Sequence, residues 1–203
     1  MQSLLDRINQ LQTEKKHTVI AIDGNSTAGK STLAACLMKT YSCSVISMDH
    51  FFLRPEQRTS ERLLQPGGNI DYDRFIEQIV LPLRSKESFI YHPYDCKLDM
   101  PGAPIAINTD DPIIIIEGVY SMHPKFREHS IYDITVFLQI NEDEQKRRLL
   151  MRNPHMYDRF IHEWVPMENK YFDFFQIAEK CNFIINYDEI QTNNEESGAP
   201  DDA

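Results

Sequence analysis

Residues 18–34 read TVIAIDGNSTAGKSTLA, and the rest of the chain is best understood outward from them. Thr18, Val19, Ile20 and Ile22 are β-branched and favour a strand; from Ser31 the apolar spacing becomes that of a helix. Between the two lies Gly24-Asn25-Ser26-Thr27-Ala28-Gly29-Lys30-Ser31, the pattern G-x-x-x-x-G-K-[ST] set between strand and helix as its mechanism requires. Gly24 and Gly29 allow backbone geometry that a Cβ would obstruct, so the amides of residues 24–32, through Thr32, can turn around a phosphate at the positive end of the helix. Lys30 adds a point charge for the β- and γ-phosphates, and the Ser31 hydroxyl is a ligand for Mg²⁺.

The remaining composition narrows what such a loop can serve. A chain of 203 residues has room for one large α/β domain with a small insertion, and a second full domain is not expected. The formal net charge of -10 excludes the broad basic footprint of a nucleic-acid or anionic-membrane binder. Cys36, Cys43, Cys96 and Cys181 form no C-x-x-C pair and read as reduced, mostly buried thiols, and no histidine pair has metal spacing on a helix. The N-terminus lacks the basic start and apolar stretch of a secretion signal, and the run Ile113–Ile116 is far too short to span a bilayer. A cytoplasmic protein with no membrane or nucleic-acid partner is the expectation.

In chain order, the pattern predicts an amphipathic helix over 3–16, a helix over 31–41 and a strand over 43–48 that ends at Asp49. A long polar stretch follows, through Pro66-Gly67-Gly68. Residues 71–84 read as a helix whose start carries Asp71 and Asp73, with Asp73 the preferred cap. Two short alternating runs, 88–94 and 103–107, predict a β-hairpin within an insertion of about residues 86–110. Pro112-Ile113-Ile114-Ile115-Ile116-Glu117-Gly118 is apolar on both faces, as in the middle of a parallel sheet, and ends in an acid. Strands over 133–140 and 182–186, helices over 142–152 and 166–179, and a lid of about residues 153–165 complete a domain over 1–187; a polar tail at 188–203 is expected to be flexible.

This alternation implies a parallel sheet of about five strands covered on both faces, with the ligand edge at the strands' carboxyl ends. Transfer of a γ-phosphoryl group needs cradled phosphates, a divalent metal, positive charge on the transferred group and an oriented acceptor hydroxyl. The loop supplies the first, Ser31 with Glu117 would hold Mg²⁺, and Lys30 with the lid arginines Arg152 and Arg159 would supply the charge. Asp49 would take the proton of the acceptor hydroxyl. Arg148, in the cluster Lys146-Arg147-Arg148, is a substrate-side candidate, whereas His50 and His92 read as hydrogen-bonding or surface residues. Asn169-Lys170-Tyr171-Phe172 lacks the aspartate of the guanine-binding N-K-x-D, which argues against a GTPase switch.

With these residues in place, the chain resembles the uridine kinase family of phosphate-loop kinases. The resemblance is carried by Gly24–Thr32, Ser47-Met48-Asp49-His50-Phe51-Phe52, Asn69-Ile70-Asp71-Tyr72-Asp73-Arg74-Phe75, Tyr94-Asp95, Glu117-Gly118 and Arg147-Arg148 with Arg152. It implies a three-layer P-loop NTPase fold and ATP- and Mg²⁺-dependent 5′-phosphorylation of a ribonucleoside, uridine or cytidine first. It further implies that Asp49 is the base, that Asp71 binds the sugar hydroxyls, that Tyr94 lies against the nucleobase, and that a homo-oligomer forms. Two stretches depart from the family pattern. Asp99 stands where uridine kinases carry the histidine of Y-D-F-x-x-H, and Asn153-Pro154-His155-Met156-Tyr157-Asp158-Arg159 replaces an arginine- and glycine-rich lid. Ribosylnicotinamide and pantothenate therefore stand as alternative acceptors, and a non-kinase nucleotide-binding regulator as the alternative of another class.

Overall fold

The structure, a computed structural model, describes residues 1–96 and 98–186; the tail expected beyond 187 lies outside the described residues. After helix α1 (Gln2–Glu14), strand β1 (Thr18–Gly24) leads through the glycine-bounded loop into α2 (Lys30–Thr40), and β2 (Cys43–Ser47) follows. A 3₁₀ turn, Met48–Phe51, continues directly from β2, so Asp49 sits on a tight turn two residues beyond the shorter strand. The polar stretch after it holds the short helix α3 (Ser60–Leu63). Helix α4 (Tyr72–Phe75) then runs through a π turn (Ile76–Val80) into α5 (Leu81–Ser85).

The insertion is two nested antiparallel ladders rather than one hairpin. Strand β3 (Phe89–Tyr91) pairs with β6 (Ile105–Ile107), and between them β4 (Tyr94–Asp95) pairs with β5 (Met100–Pro101). Strand β7 (Ile113–Glu117), helix α6 (Pro124–Arg127), strand β8 (Ile134–Gln139) and helix α7 (Glu142–Arg152) follow. A 3₁₀ turn (Pro154–Met156) leads into α8 (Tyr157–Arg159), a π turn (Phe160–Trp164) and α9 (Val165–Phe175), and β9 (Phe183–Asn186) is the last strand. Residues 157–175 thus form one unbroken helical arm, whereas a separate lid and helix were expected.

The main sheet has the order β2-β7-β1-β8-β9, with every neighbour parallel. Strands buried on both faces explain the isoleucine run of β7. Ile113 and Ile115 join Leu4, Ile8, Leu33 and Leu37 of α1 and α2, while Ile114 and Ile116 join Phe75, Phe126 and Tyr171 on the opposite side. Each such isoleucine, fully withdrawn from water, contributes about 2–3 kcal/mol. Among the described residues, no helix is long and apolar enough to cross a membrane.

Both π turns end two residues before a proline, at Val80 before Pro82 and at Trp164 before Pro166. A helical proline lacks an N–H and crowds the carbonyl four residues back; one inserted residue widens the turn and relieves that conflict without ending the helix. In the sequence Pro82 falls inside the helix read over 71–84, as the structure has it, whereas Pro166 reads as a helix start and the structure carries helix across it.

Candidate active site

The loop is fixed from beneath. Gly24 has φ +134°, and a Cβ there would stand 1.9 Å from the Leu138 carbonyl oxygen of β8, which also accepts the Asn25 amide at 3.2 Å. Gly29 has φ +93° and opens α2. The Lys30 ammonium donates to the carbonyl oxygens of Gly24 at 2.9 Å and Asn25 at 2.8 Å, so it lies folded over the loop. Asp23, fully buried, accepts the amides of Gly24 (2.8 Å), Tyr120 (3.2 Å) and Met122 (3.0 Å) and the hydroxyl of Tyr171 (2.8 Å). Burial raises its pKa, and the hydrogen bonds from Met122, Tyr171 and Gly24 pull the other way.

The register of the sheet delivers the candidate metal pair. Glu117 is the last residue of β7, opposite Ile22 of β1 and Ser47 of β2. Its carboxylate accepts from the Ser31 hydroxyl at 3.3 Å and from the Ser47 hydroxyl. Burial pushes the Glu117 pKa up; the Ser47 bond and Lys30 counter this, and the charge of Asp49 adds to it. Gly118, at φ +131°, lets the end of β7 pass beside Met48, whose Cβ would stand 2.8 Å from any added Cβ. That close approach brings the Asp49 turn next to Glu117, and Asp49 itself is exposed to solvent. A hydroxyl and a carboxylate are hard oxygen donors that suit Mg²⁺. No cluster of three potential metal-binding side chains exists among the described residues, so phosphates and water would complete the shell.

The region between α4 and the insertion, where the acceptor was expected, is assembled differently. Asp71, not Asp73, caps its helix: it accepts the Arg74 amide at 3.2 Å and also holds Gln57 Nε2 at 3.0 Å and Arg74 Nε at 3.4 Å. Asp73 is exposed. The buried position wins because Asp71 can satisfy the helix start and a guanidinium together. Arg74 also donates to the carbonyl oxygens of His50, Phe52 and His92, clasping the Asp49 turn to the insertion. The Tyr94 hydroxyl is bonded to the Asp99 carboxylate. A cavity of ≈ 310 Å³ opens here, lined by Arg54, Gln78, His92 and Tyr94 among others. His50 bonds the Tyr91 hydroxyl through Nδ1 at 2.9 Å, and His92 is exposed.

The arginines expected at the transferred phosphate are not gathered there. Arg159 pairs with Glu163 at 3.2 Å and lies over the Trp164 ring, with both ion-pair partners 54% exposed. Arg152 is exposed at the end of α7, Arg147 pairs with Glu144, and Arg148 is half-buried. The four cysteines are free, but none is buried as expected: Cys96 is exposed and the other three are half-buried.

Three contributors escaped the sequence reading. Asp23 lies one residue before the end of a buried strand, close to the place that Glu117 has on β7, and nearly the same rule would have found it. Gln145 of α7 donates to the Ser26 carbonyl at 3.1 Å, and Glu168 of α9 accepts from the Ser26 amide at 3.0 Å and from its hydroxyl. Neither has a local signal in the sequence, since only the packing of α7 and α9 over the loop brings them there.

A glycine-bounded loop between β1 and α2 of this sheet, with an acid on the adjacent strand end facing the loop serine, defines a phosphate-loop nucleotide-binding protein. No family model matches the chain. It is 34% identical over 139 residues to nicotinamide riboside kinase 1 of Mus musculus, covering 66% of this chain and 65% of the relative, so the match falls just short of two thirds of that protein. It is 33% identical over 169 residues to nicotinamide riboside kinase 1 of Homo sapiens, covering 77% of each. Among solved structures, a possible uridine kinase from Bacillus stearothermophilus shares the fold, with TM-score 0.64, 21% identity, and coverage of 90% of this chain and 99% of that one. The chain belongs to the uridine kinase family, alongside the nicotinamide riboside kinases it resembles.

Proposed function

We propose that the protein transfers the γ-phosphoryl group of ATP to the 5′-hydroxyl of a ribonucleoside, with ribosylnicotinamide favoured over uridine or cytidine. The observation that carries the kinase reading is the Ser31 hydroxyl at 3.3 Å from Glu117, set beside the Asp49 turn by parallel register. Ribosylnicotinamide is favoured by the relatives' names and by Asp99, whose carboxylate on the Tyr94 hydroxyl suits a cationic pyridinium better than a neutral pyrimidine edge.

In this reading the loop amides bind the donor phosphates, and Lys30 leaves the carbonyls of Gly24 and Asn25 to meet them. Ser31 and Glu117 would hold Mg²⁺, which when bound neutralises charge on the β- and γ-phosphates. Asp49, exposed at the mouth, orients the 5′-hydroxyl and accepts its proton as the new P–O bond forms. Arg152 and Arg159, borne on the lid of about residues 153–165 and its approach, reach the transferred group when the lid end of the arm bends in while its Glu168 end stays on the loop. Tyr94 stacks on or borders the base, Arg148 serves the substrate side, and Asp71 reaches the ribose through its helix-capping carboxylate.

The test is ADP release with Mg-ATP and a panel of ribosylnicotinamide, uridine, cytidine and pantothenate. Turnover is expected with ribosylnicotinamide first. Absence of acceptor-dependent turnover across the panel would overturn the kinase reading and leave the nucleotide-binding regulator.

A further inference from the structure

Ser26, the third residue of the loop, is held on every polar atom that it has. Its amide and hydroxyl donate to the two carboxylate oxygens of Glu168, and its carbonyl accepts from Gln145. Glu168 is only 5% exposed. One turn further along α9, Tyr171 donates to Asp23, which in turn accepts the amide of Gly24. The helical arm therefore grips the loop at two points, through an acid of the arm on residue 26 and an acid of β1 on the arm. A buried carboxylate persists only where donors compensate its lost hydration. Here the donors are the loop's own, and burial still leaves the Glu168 pKa raised against the opposing pull of Lys30 and Ser26.

We propose that Glu168 is a positioning residue for the phosphate donor: by fixing Ser26 it sets the curvature of the loop before the triphosphate arrives, and it ties that curvature to the arm carrying Arg159. This rests on the donor being a nucleoside triphosphate held by the loop, as in the function proposed above. Removing the carboxylate frees a loop amide and lets residues 25–27 sample other shapes, so phosphates must order the loop as they bind. Glutamine keeps most of the effect, because its carbonyl oxygen takes the amide and its NH₂ meets the Ser26 hydroxyl, which accepts as well as donates.

The experiment measures binding of a non-hydrolysable ATP analogue and of inorganic triphosphate, each with Mg²⁺, to the full chain and to Glu168→Ala, Glu168→Gln and Ser26→Ala. Thermal melts run alongside, as does the KM of whichever acceptor the unaltered protein turns over. Expected are a loss of donor and triphosphate affinity of about tenfold or more in Glu168→Ala, recovery to within about threefold in Glu168→Gln, and an intermediate loss in Ser26→Ala. The acceptor KM should stay put. Should Glu168→Ala fail to fold, Ser26→Ala and Glu168→Gln carry the test. Unchanged affinity, a parallel rise in acceptor KM, or tighter donor binding in Glu168→Gln would overturn the proposal, the last by showing the carboxylate to be a competitor. Failure of the unaltered protein to bind either probe would instead remove the donor reading beneath it.

Discussion

The donor side and the acceptor side of this site are held by different forces. On the donor side, strand ends in fixed register and buried side chains bonded to the loop do the positioning. Glu117 meets Ser31 because β7 is in register with β1, and Asp23 collects three backbone amides and a hydroxyl in full burial. On the acceptor side, pairs of side chains hold short ladders and turns: Asp71 with Arg74, Tyr94 with Asp99, Arg74 with three carbonyl oxygens. Sheet register cannot change without refolding, since a one-residue slip would exchange the two faces of a buried strand. A side-chain pair can change alone. In the proposed function, the donor chemistry would thereby be fixed by the fold, and the choice of acceptor left to a few residues on its rim.

The sharpest way to break this contrast is Asp49→Asn. It should lower kcat by about a hundredfold or more with ATP binding retained, seen by steady-state kinetics beside calorimetry; near-normal turnover would remove the proposed base. Next in size is Asp23→Ala, which leaves two or more buried donors without a partner and should cost about 3 kcal/mol or more of stability, read from urea unfolding.

His123 joins the two sides, stacked on Tyr72 of α4 and on Tyr171 of α9, and burial pushes its pKa down to about 4. An unfolded histidine takes a proton near pH 6.5, whereas the folded one resists until about pH 4. Stability should thus be full above pH 6.5 and fall on acidification, by up to about 3 kcal/mol by pH 4. His123→Asn, compared by pH-dependent unfolding, should flatten that limb.

Asp99→Asn keeps a bond to Tyr94 but removes charge; it should raise the KM for ribosylnicotinamide about tenfold and leave that for uridine almost unchanged. Equal shifts for both would show that Asp99 serves the ladder alone. The smallest structural effect belongs to Arg159→Ala. Its exposed ion pair is worth less than about 1 kcal/mol, so a thermal melt should barely move. A fall in kcat without that shift would place the arm over the donor during turnover.

The same contrast explains what could be read in advance. The loop, Glu117 and the order of the central elements were legible because glycine geometry and β-branched runs are local signals. Glu168 and Gln145 were not, because their importance comes from helices distant in sequence settling over residue 26. Asp71 and Asp73 look alike in sequence, and only the proximity of Arg74 and Gln57 decides between them. The arginines were recognisable as a cluster, but their disposition was not: acids one turn away, Glu144 and Glu163, satisfy Arg147 and Arg159 at the surface.

The π turn at Phe160–Trp164 also sets the phase of the arm. Each residue added to a helix rotates the residues beyond it by about 100°, so this single inserted residue helps decide which way Glu168 and Tyr171 face. Deleting one residue between Tyr157 and Pro166 would turn both away from the loop or swing the lid end around the arm. Removing a whole turn would shorten the arm while nearly restoring its facing. The loop thus demands of this arm a count of residues as well as the identity of the two that face it.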